Sequence, residues 1–244
     1  MEVYGRMYMK SETLLFRHEL KFIIDKSEME VLTRRLDAVI PRDENAGSGR
    51  YMIRSLYFDD EFESAYEDKL AGVEKRKKYR IRIYNYSESI IKLECKFKQG
   101  QYIYKSSAVL SKAEAEALIA GEYEFLFARS EPVCRWFYLE CAEKMMVPKV
   151  VVDYDRVPFV FPYGDVRITF DCGIRAGLFC GELFDRQLPV AEVLEPGKLI
   201  MEVKFTQYLP EFIRSLLCVS DGEYTAYSKY TICLEKKKEL SGGA

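Results

Sequence analysis

The 244-residue chain contains one histidine, one tryptophan and no Cys-x-x-Cys pair, although it carries seven cysteines. The single histidine, His18, alternates with Phe16, Leu20 and Phe22, so it falls on the apolar parity of an expected strand. A histidine general base, a His-rich metal centre, and Ser-His-Asp or Cys-His nucleophile chemistry are thereby nearly excluded. An odd cysteine count without metal or redox spacing fits reduced, packed thiols, and a cytoplasmic location is expected. Cys134 and Cys141 lie seven apart on an expected helix, share its face, and read as core. No run approaches the roughly 18 apolar residues of a membrane span. The N-terminal region has no signal-peptide layout, so a soluble protein is expected. Lys and Arg number 37 against 39 Asp and Glu, a net charge of −2, which disfavours a generally basic nucleic-acid binder. Neither G-x-x-x-x-G-K-[ST] nor G-x-G-x-x-G follows any expected strand, and Gly47-Ser48-Gly49 reads as a connecting loop. If phosphate is handled, side chains must do it.

What is present is an ordinary globular composition, 48% hydrophobic and 31% charged. With no low-complexity linker and no internal repeat, a single domain over 1–244 is expected, its core spanning about 16–235. Strands are expected at 16–24, 51–58, 78–84, 90–98, 102–110, 149–160, 165–171 and 198–205. Helices are expected at 27–39, opened by Ser27 with Glu30, then at 60–70, 111–120, 131–146, 210–218 and 225–239. The final Lys236-Lys237-Lys238 run reads as a solvated helix end favoured by the macrodipole.

The informative feature is where the basic residues fall. In 78–84, Lys78, Arg80, Arg82 and Tyr84 oppose Tyr79, Ile81 and Ile83; in 90–98, Lys92, Glu94, Lys96 and Lys98 oppose Ile91, Leu93, Cys95 and Phe97. Lys21, Lys105, Arg156, Arg167 and Lys204 extend the basic parity to other strands. Glu19, Glu94 and Glu202, with Asp165 and Asp171 at strand ends, form an acidic minority. A wetted sheet face is one reading. Against it, solvated faces intersperse both signs, and like charges on adjacent strands repel unless an anion neutralises them. If the sheet closes with this face inward, it forms a cationic tunnel suited to a polyphosphorylated ligand. An isolated Glu there could hold a divalent cation or simply pair with Lys204 or an Arg. Asp59 could serve the site or cap a helix. Arg54 shares parity with Met52, Leu56 and Phe58, which leaves its direction open, and Tyr154 could be ordinary strand filler.

These residues also resemble a known family. Arg17-x-Glu19-x-Lys21, Arg54-x-x-Tyr57-Phe58-Asp59, Lys78-Tyr79-Arg80-Ile81-Arg82, Glu94-x-Lys96, Tyr154-x-Arg156, Arg167-x-Thr169-x-Asp171, Glu202-x-Lys204 and Ser228-Lys229-Tyr230 occur in an order similar to that of the VTC domain. This is the polyphosphate polymerase branch of the triphosphate tunnel metalloenzyme (CYTH-like) superfamily. The resemblance implies an α+β fold built on a closed antiparallel β-barrel with helices packed outside. It implies ATP as donor, a polyphosphate product and a divalent cofactor, Mn²⁺ or Mg²⁺. By the same resemblance, Lys21, Arg80, Arg82, Lys96, Arg156 and Arg167 act on the transferring phosphoryl group. Arg54, Lys105, Tyr154, Lys204, Ser228 and Lys229 bind substrate, and Glu202 with Glu19 holds the metal. Related domains are often fused to membrane segments, so a membrane partner is compatible with the resemblance. Two departures stand out. Arg17 replaces the first Glu of the superfamily's E-x-E-x-K signature, which fits the polymerase branch better than a cyclase or thiamine triphosphatase. Ala226 stands where polymerase members carry a second Lys, which bears on chain handling. The alternatives are a triphosphatase and a non-catalytic polyphosphate or anion sensor.

Overall fold

The computed structural model describes residues 17–100, 102–217 and 227–242. Among them, nine strands form one antiparallel sheet: β1 (His18–Asp25), β2 (Tyr51–Asp59), β3 (Lys75–Tyr84), β4 (Ser87–Gln99), β5 (Tyr102–Leu110), β6 (Val147–Phe161), β7 (Val166–Gly177), β8 (Val190–Glu192) and β9 (Lys198–Phe205). Six α-helices accompany them: α1 (Lys26–Asp37), α2 (Ser64–Leu70), α3 (Lys112–Ala120), α4 (Pro132–Lys144), α5 (Glu211–Leu217) and α6 (Lys229–Ser241). The strand order is β1-β9-β7-β6-β2-β3-β4-β5, with β8 added on β7. The expected elements at Phe16, Cys218, Thr225 and Ala226 lie outside the described residues.

Strands β1 and β5 form the two edges, and a closed barrel would require a ladder between them. Among the described residues the ladder between them is one bridge, from Arg17, just before β1, to Ile103 of β5. Side chains also meet across the gap. The His18 and Tyr102 rings lie 6.2 Å apart, and Lys96 of β4 donates to Glu19 of β1 at 2.7 Å. The expected closed barrel is thus corrected to an open sheet, curled until its edges meet at one end.

The alternation decides the layers. Ile81, Ile83, Leu93 and Cys95 point outward and are covered by Ala115 and Leu118 of α3 and Val133, Cys134 and Phe137 of α4. Cys134 and Cys141 are indeed core, their thiols pushed up by burial, to about 11 and about 12. On the same convex side, Ile168, Phe170, Met201 and Val203 meet Leu32 and Leu36 of α1 and Ile213 and Leu217 of α5. The concave face carries the charged parity. At one end it becomes apolar, where Val150, Val152, Ile174, Ala176 and Ile200 pack under Tyr230, Cys233 and Leu234 of α6. That helix therefore closes one end of the trough.

Two local devices differ from the sequence expectation. Helix α1 starts at Lys26, with Asp25 as cap and the Glu28 carboxylate accepting from the Asp25 amide at 3.0 Å, two residues ahead of the expected Ser27–Glu30 box. Strands β3 and β4 are joined by only Asn85 and Tyr86, both at positive φ, as a primed two-residue hairpin demands. The Asn85 side chain accepts from the Met52 amide at 2.9 Å, and Arg54 lies 4.7 Å over the Tyr86 ring. By contrast, the Ser111–Glu114 capping box of α3 stands as the sequence predicts.

A candidate anion site on the concave face

Strand register brings the charged residues together. Lys21 faces Glu202 and Glu19 faces Lys204 across β1 and β9, while Arg80 faces Glu94 and Lys96 faces Lys105 across β3, β4 and β5. The concave face gathers Lys21, Lys78, Arg80, Arg82, Lys92, Lys96, Lys98, Lys105, Arg156, Arg167, Lys204 and Lys229 around Glu19, Glu94, Asp171 and Glu202.

The carboxylates are the hubs. One Glu202 oxygen accepts from Lys229 at 2.7 Å with Lys21 at 3.6 Å; the other accepts from Lys204 at 2.7 Å with Arg156 at 3.8 Å. Asp171 receives two parallel bonds from Arg156, each 2.7 Å, and Lys229 at 2.6 Å. Glu94, fully buried, accepts from Arg80 at 2.8 Å and Lys105 at 2.8 Å, with Arg82 at 3.7 Å. Glu19 pairs with Lys96 at 2.7 Å and Lys204 at 3.4 Å. Neutral groups complete the net. Arg80 donates to the Tyr57 hydroxyl at 2.7 Å, and Arg82 to Ser55 at 3.1 Å and the Tyr154 hydroxyl at 3.1 Å.

Burial alone would neutralise these acids, but the surrounding cations outweigh it. Glu94 and Glu202 are held well below the usual carboxylate range, the former by Arg80, Arg82 and Lys105, the latter by Lys204, Lys229, Lys21 and Arg156. The lysines divide. Lys229 is raised because Asp171 and Glu202 overcome its burial, whereas burial pulls Lys96 down to about 8 despite Glu19.

Of the residues expected at the site, Arg54 does not belong. It is paired with Ile83 and Asp153 on the convex parity, is buried, and donates twice to Asp153 at 2.8 Å. It also holds the carbonyls of Leu183, at 3.2 Å, and Asp185, so it fastens a loop. Its parity with Leu56 and Phe58 is the cause. Arg167 sits toward the opposite end from α6, donating to Asp43 at 2.5 Å and the Tyr51 hydroxyl at 3.0 Å. Ser228 caps α6, and its Oγ accepts from Lys78 at 2.7 Å. The Lys229 amine lies 5.0 Å over the Tyr154 ring. Asp59 fastens helices: its carboxylate accepts from the amides of Ala65 and Tyr66 and from the Tyr230 hydroxyl at 2.6 Å. Ser55, the bond from Arg80 to the Tyr57 hydroxyl and the hub role of Glu94 and Asp171 have no counterpart among the expected site residues. The signal was there, since Ser55 and Tyr57 alternate with Arg54 and Leu56.

Comparison with known proteins follows from this geometry. The family model described as the VTC domain matches residues 16–237. None of the curated proteins matches the sequence. Among solved structures, the adenylyl-cyclase candidate HpAC1 from Hippeastrum, described as having a dominant triphosphatase activity, is 13% identical with a TM-score of 0.54. That alignment covers 91% of this chain and 95% of HpAC1. PH1819 from Pyrococcus horikoshii OT3 is 14% identical, with a TM-score of 0.47 over 90% of this chain and 99% of the other. At 13% identity the likeness to HpAC1 is one of fold. No helix among the described residues is long and apolar enough to cross a membrane.

Proposed function

Because the chain belongs to the VTC-domain family, we propose that it is a metal-dependent phosphotransferase that moves the γ-phosphoryl group of ATP onto a polyphosphate chain lying along the concave face. The observation that carries this reading is the surplus of buried and half-buried Lys and Arg over the four hub carboxylates Glu19, Glu94, Asp171 and Glu202. Each carboxylate satisfies cations that phosphate oxygens can take over, since guanidinium forks bind both anions in the same geometry.

A terminal phosphate oxygen of the acceptor chain attacks the γ-phosphorus, the bond from that phosphorus to the β,γ-bridging oxygen breaks, and ADP leaves. Both nucleophile and leaving group are phosphate oxygens, so no protein nucleophile is needed. The protein's task is alignment and charge neutralisation. Arg80, Arg82, Arg156 and Lys229, each held on the concave face by hydrogen bonds or ion pairs, supply the donors that exchange carboxylate or neutral partners for phosphate oxygens. Tyr154 braces Arg82.

The residues suit a divalent cation of the Mg²⁺ or Mn²⁺ type. Glu19 and Glu202 share the Lys204 ammonium, at 3.4 and 2.7 Å, so two oxygen-donor side chains already converge on one cation. Among the described residues no cluster of three His, Cys, Asp or Glu could form a complete cage. That matches ions bound through one or two carboxylates plus substrate phosphates. Glu202, assisted by Glu19, would hold the ion, which when bound neutralises charge on the phosphoryl oxygens.

The fold shared with HpAC1, described with dominant triphosphatase activity, supports a second reading in which water replaces the acceptor chain. The test is incubation with ATP and Mn²⁺, with products resolved on a gel that separates polymer from free phosphate. A polymer ladder that vanishes in Glu202→Gln is the expected result. Free phosphate alone would favour the triphosphatase. Neither product, with triphosphate binding intact, would leave a sensor.

A further inference from the structure

The Lys236-Lys237-Lys238 run at the end of α6 divides. Lys236 pairs with Glu239 at 3.0 Å and Lys238 with Glu63, as members of a solvated helix end would. Lys237 does not fit that expectation. Among the described residues it has no ion pair; its partly buried ammonium donates to the Lys149 carbonyl of β6 at 2.7 Å and to the Cys180 sulfur at 3.0 Å.

Both partners are held from behind. Tyr230, Cys233 and Leu234 bury the inner side of α6, and the Lys149 carbonyl fixes the end of the Lys237 side chain. Cys180 lies in the segment between β7 and β8. There Leu183 and Leu188 are packed into the convex core, and Arg54 binds the carbonyls of Leu183 and Asp185. Sulfur and nitrogen thus sit at the separation of atoms poised to react. Cys180 itself is half-buried between exposed Phe179 and Gly181, so a small solute can reach it. The other described cysteines are different. Burial pushes up the thiols of Cys95, Cys134, Cys141, Cys172 and Cys233.

We propose that Cys180 and Lys237 form a peroxide-responsive pair that closes into a sulfur–nitrogen cross-link, a sulfenamide, between α6 and the segment joining β7 to β8. The reactive form of cysteine is the thiolate. Its sulfur attacks one peroxide oxygen, the S–O bond forms and the O–O bond breaks. The departing hydroxide takes a proton from the Lys237 ammonium and leaves as water. Sulfur is thereby oxidised to the sulfenic acid and the peroxide is reduced. Lys237 is left as a neutral amine beside that sulfur. Its nitrogen attacks, the N–S bond forms, the S–O bond breaks, and the hydroxide leaves with the proton shed by nitrogen as a second water. Thiols reverse the link, restoring thiol and amine while they are oxidised to a disulfide. The closed form fastens α6, whose first residue is Lys229, to the segment that Arg54 anchors. None of this depends on the phosphotransferase reading.

The experiment treats the full chain, free of added thiol, with a small excess of hydrogen peroxide and reads intact and tryptic-peptide masses. The expected product has lost two hydrogens and retained no oxygen. Its digest contains one species joining the Cys180 peptide to the Lys237 peptide, uncut after Lys237, and dithiothreitol separates them. Lys237→Arg keeps a cation but has no amine to condense, so oxidation is expected to stop at a sulfenic acid that dimedone captures at Cys180. Absence of the joined peptide from the oxidised, unmodified chain would overturn the proposal, and that reading needs no variant to fold. So would a two-hydrogen loss that persists in Lys237→Arg, which would identify a disulfide. Capture of any of the five buried thiols before Cys180 would overturn it as well.

Discussion

The Lys229 ammonium donates to a Glu202 carboxylate oxygen at 2.7 Å, tying the first residue of α6 to the middle of β9. Asp171 of β7 takes the same ammonium at 2.6 Å. One lysine thus joins the helix that closes the trough to two strands, and does so inside the site. Removing one partner of a buried pair leaves its counter-charges stranded. Lys229→Ala is therefore expected to lose about 3 kcal/mol of stability in urea unfolding. A loss below about 1 kcal/mol, the range of an exposed pair, would show that Lys229 is not a structural tie.

The depressed Lys96 amine gives a pH dependence. Its folded value of about 8 lies below the ordinary lysine value of 10.5. Between those values the unfolded chain binds more protons, so stability is expected to rise as pH increases from about 8 toward 10.5. Anion binding runs the other way, because a bound phosphate favours the charged amine. Tripolyphosphate affinity should fall as pH is raised above about 8, and Lys96→Arg, which stays protonated, should flatten the decline. An unchanged decline in Lys96→Arg would assign the titration elsewhere.

Arg54 and Asp153 form a buried bidentate pair remote from the concave face. Arg54→Met is expected to destabilise the fold by about 3 kcal/mol, while the folded variant keeps tripolyphosphate affinity within about twofold. Measured together, unfolding and binding separate a structural from a binding role. A variant with native stability and lost affinity would return Arg54 to the site.

Chelation separates holding from turnover. With EDTA present, ATP turnover should cease while tripolyphosphate still binds through Arg80, Arg82 and Arg156, whose charge does not depend on metal. Turnover that persists after exhaustive chelation would remove Glu19 and Glu202 from the metal role.

Much of this was legible before the structure. Period-2 alternation located β3, β4, β5 and β9, and it separated the charged from the apolar parity because a pleated strand gives each residue one of two faces. The same parity places Arg54 with Leu56 and Phe58, on the face opposite the site that its motif implies. Edge closure was not legible, since it depends on whether β1 and β5 meet through peptide groups or through pairs such as Glu19–Lys96.

The proposed chemistry requires the paired cations of the concave face to change partners from carboxylate to phosphate. The direct measurement is calorimetric titration of tripolyphosphate at about 0.15 M salt, comparing the unmodified chain with Arg80→Ala/Arg156→Ala. Loss of two buried charge-assisted contacts is expected to weaken binding about a hundredfold or more. Equal affinity in the two proteins would contradict the account, because a polyanion would then be held somewhere other than around Glu94 and Glu202.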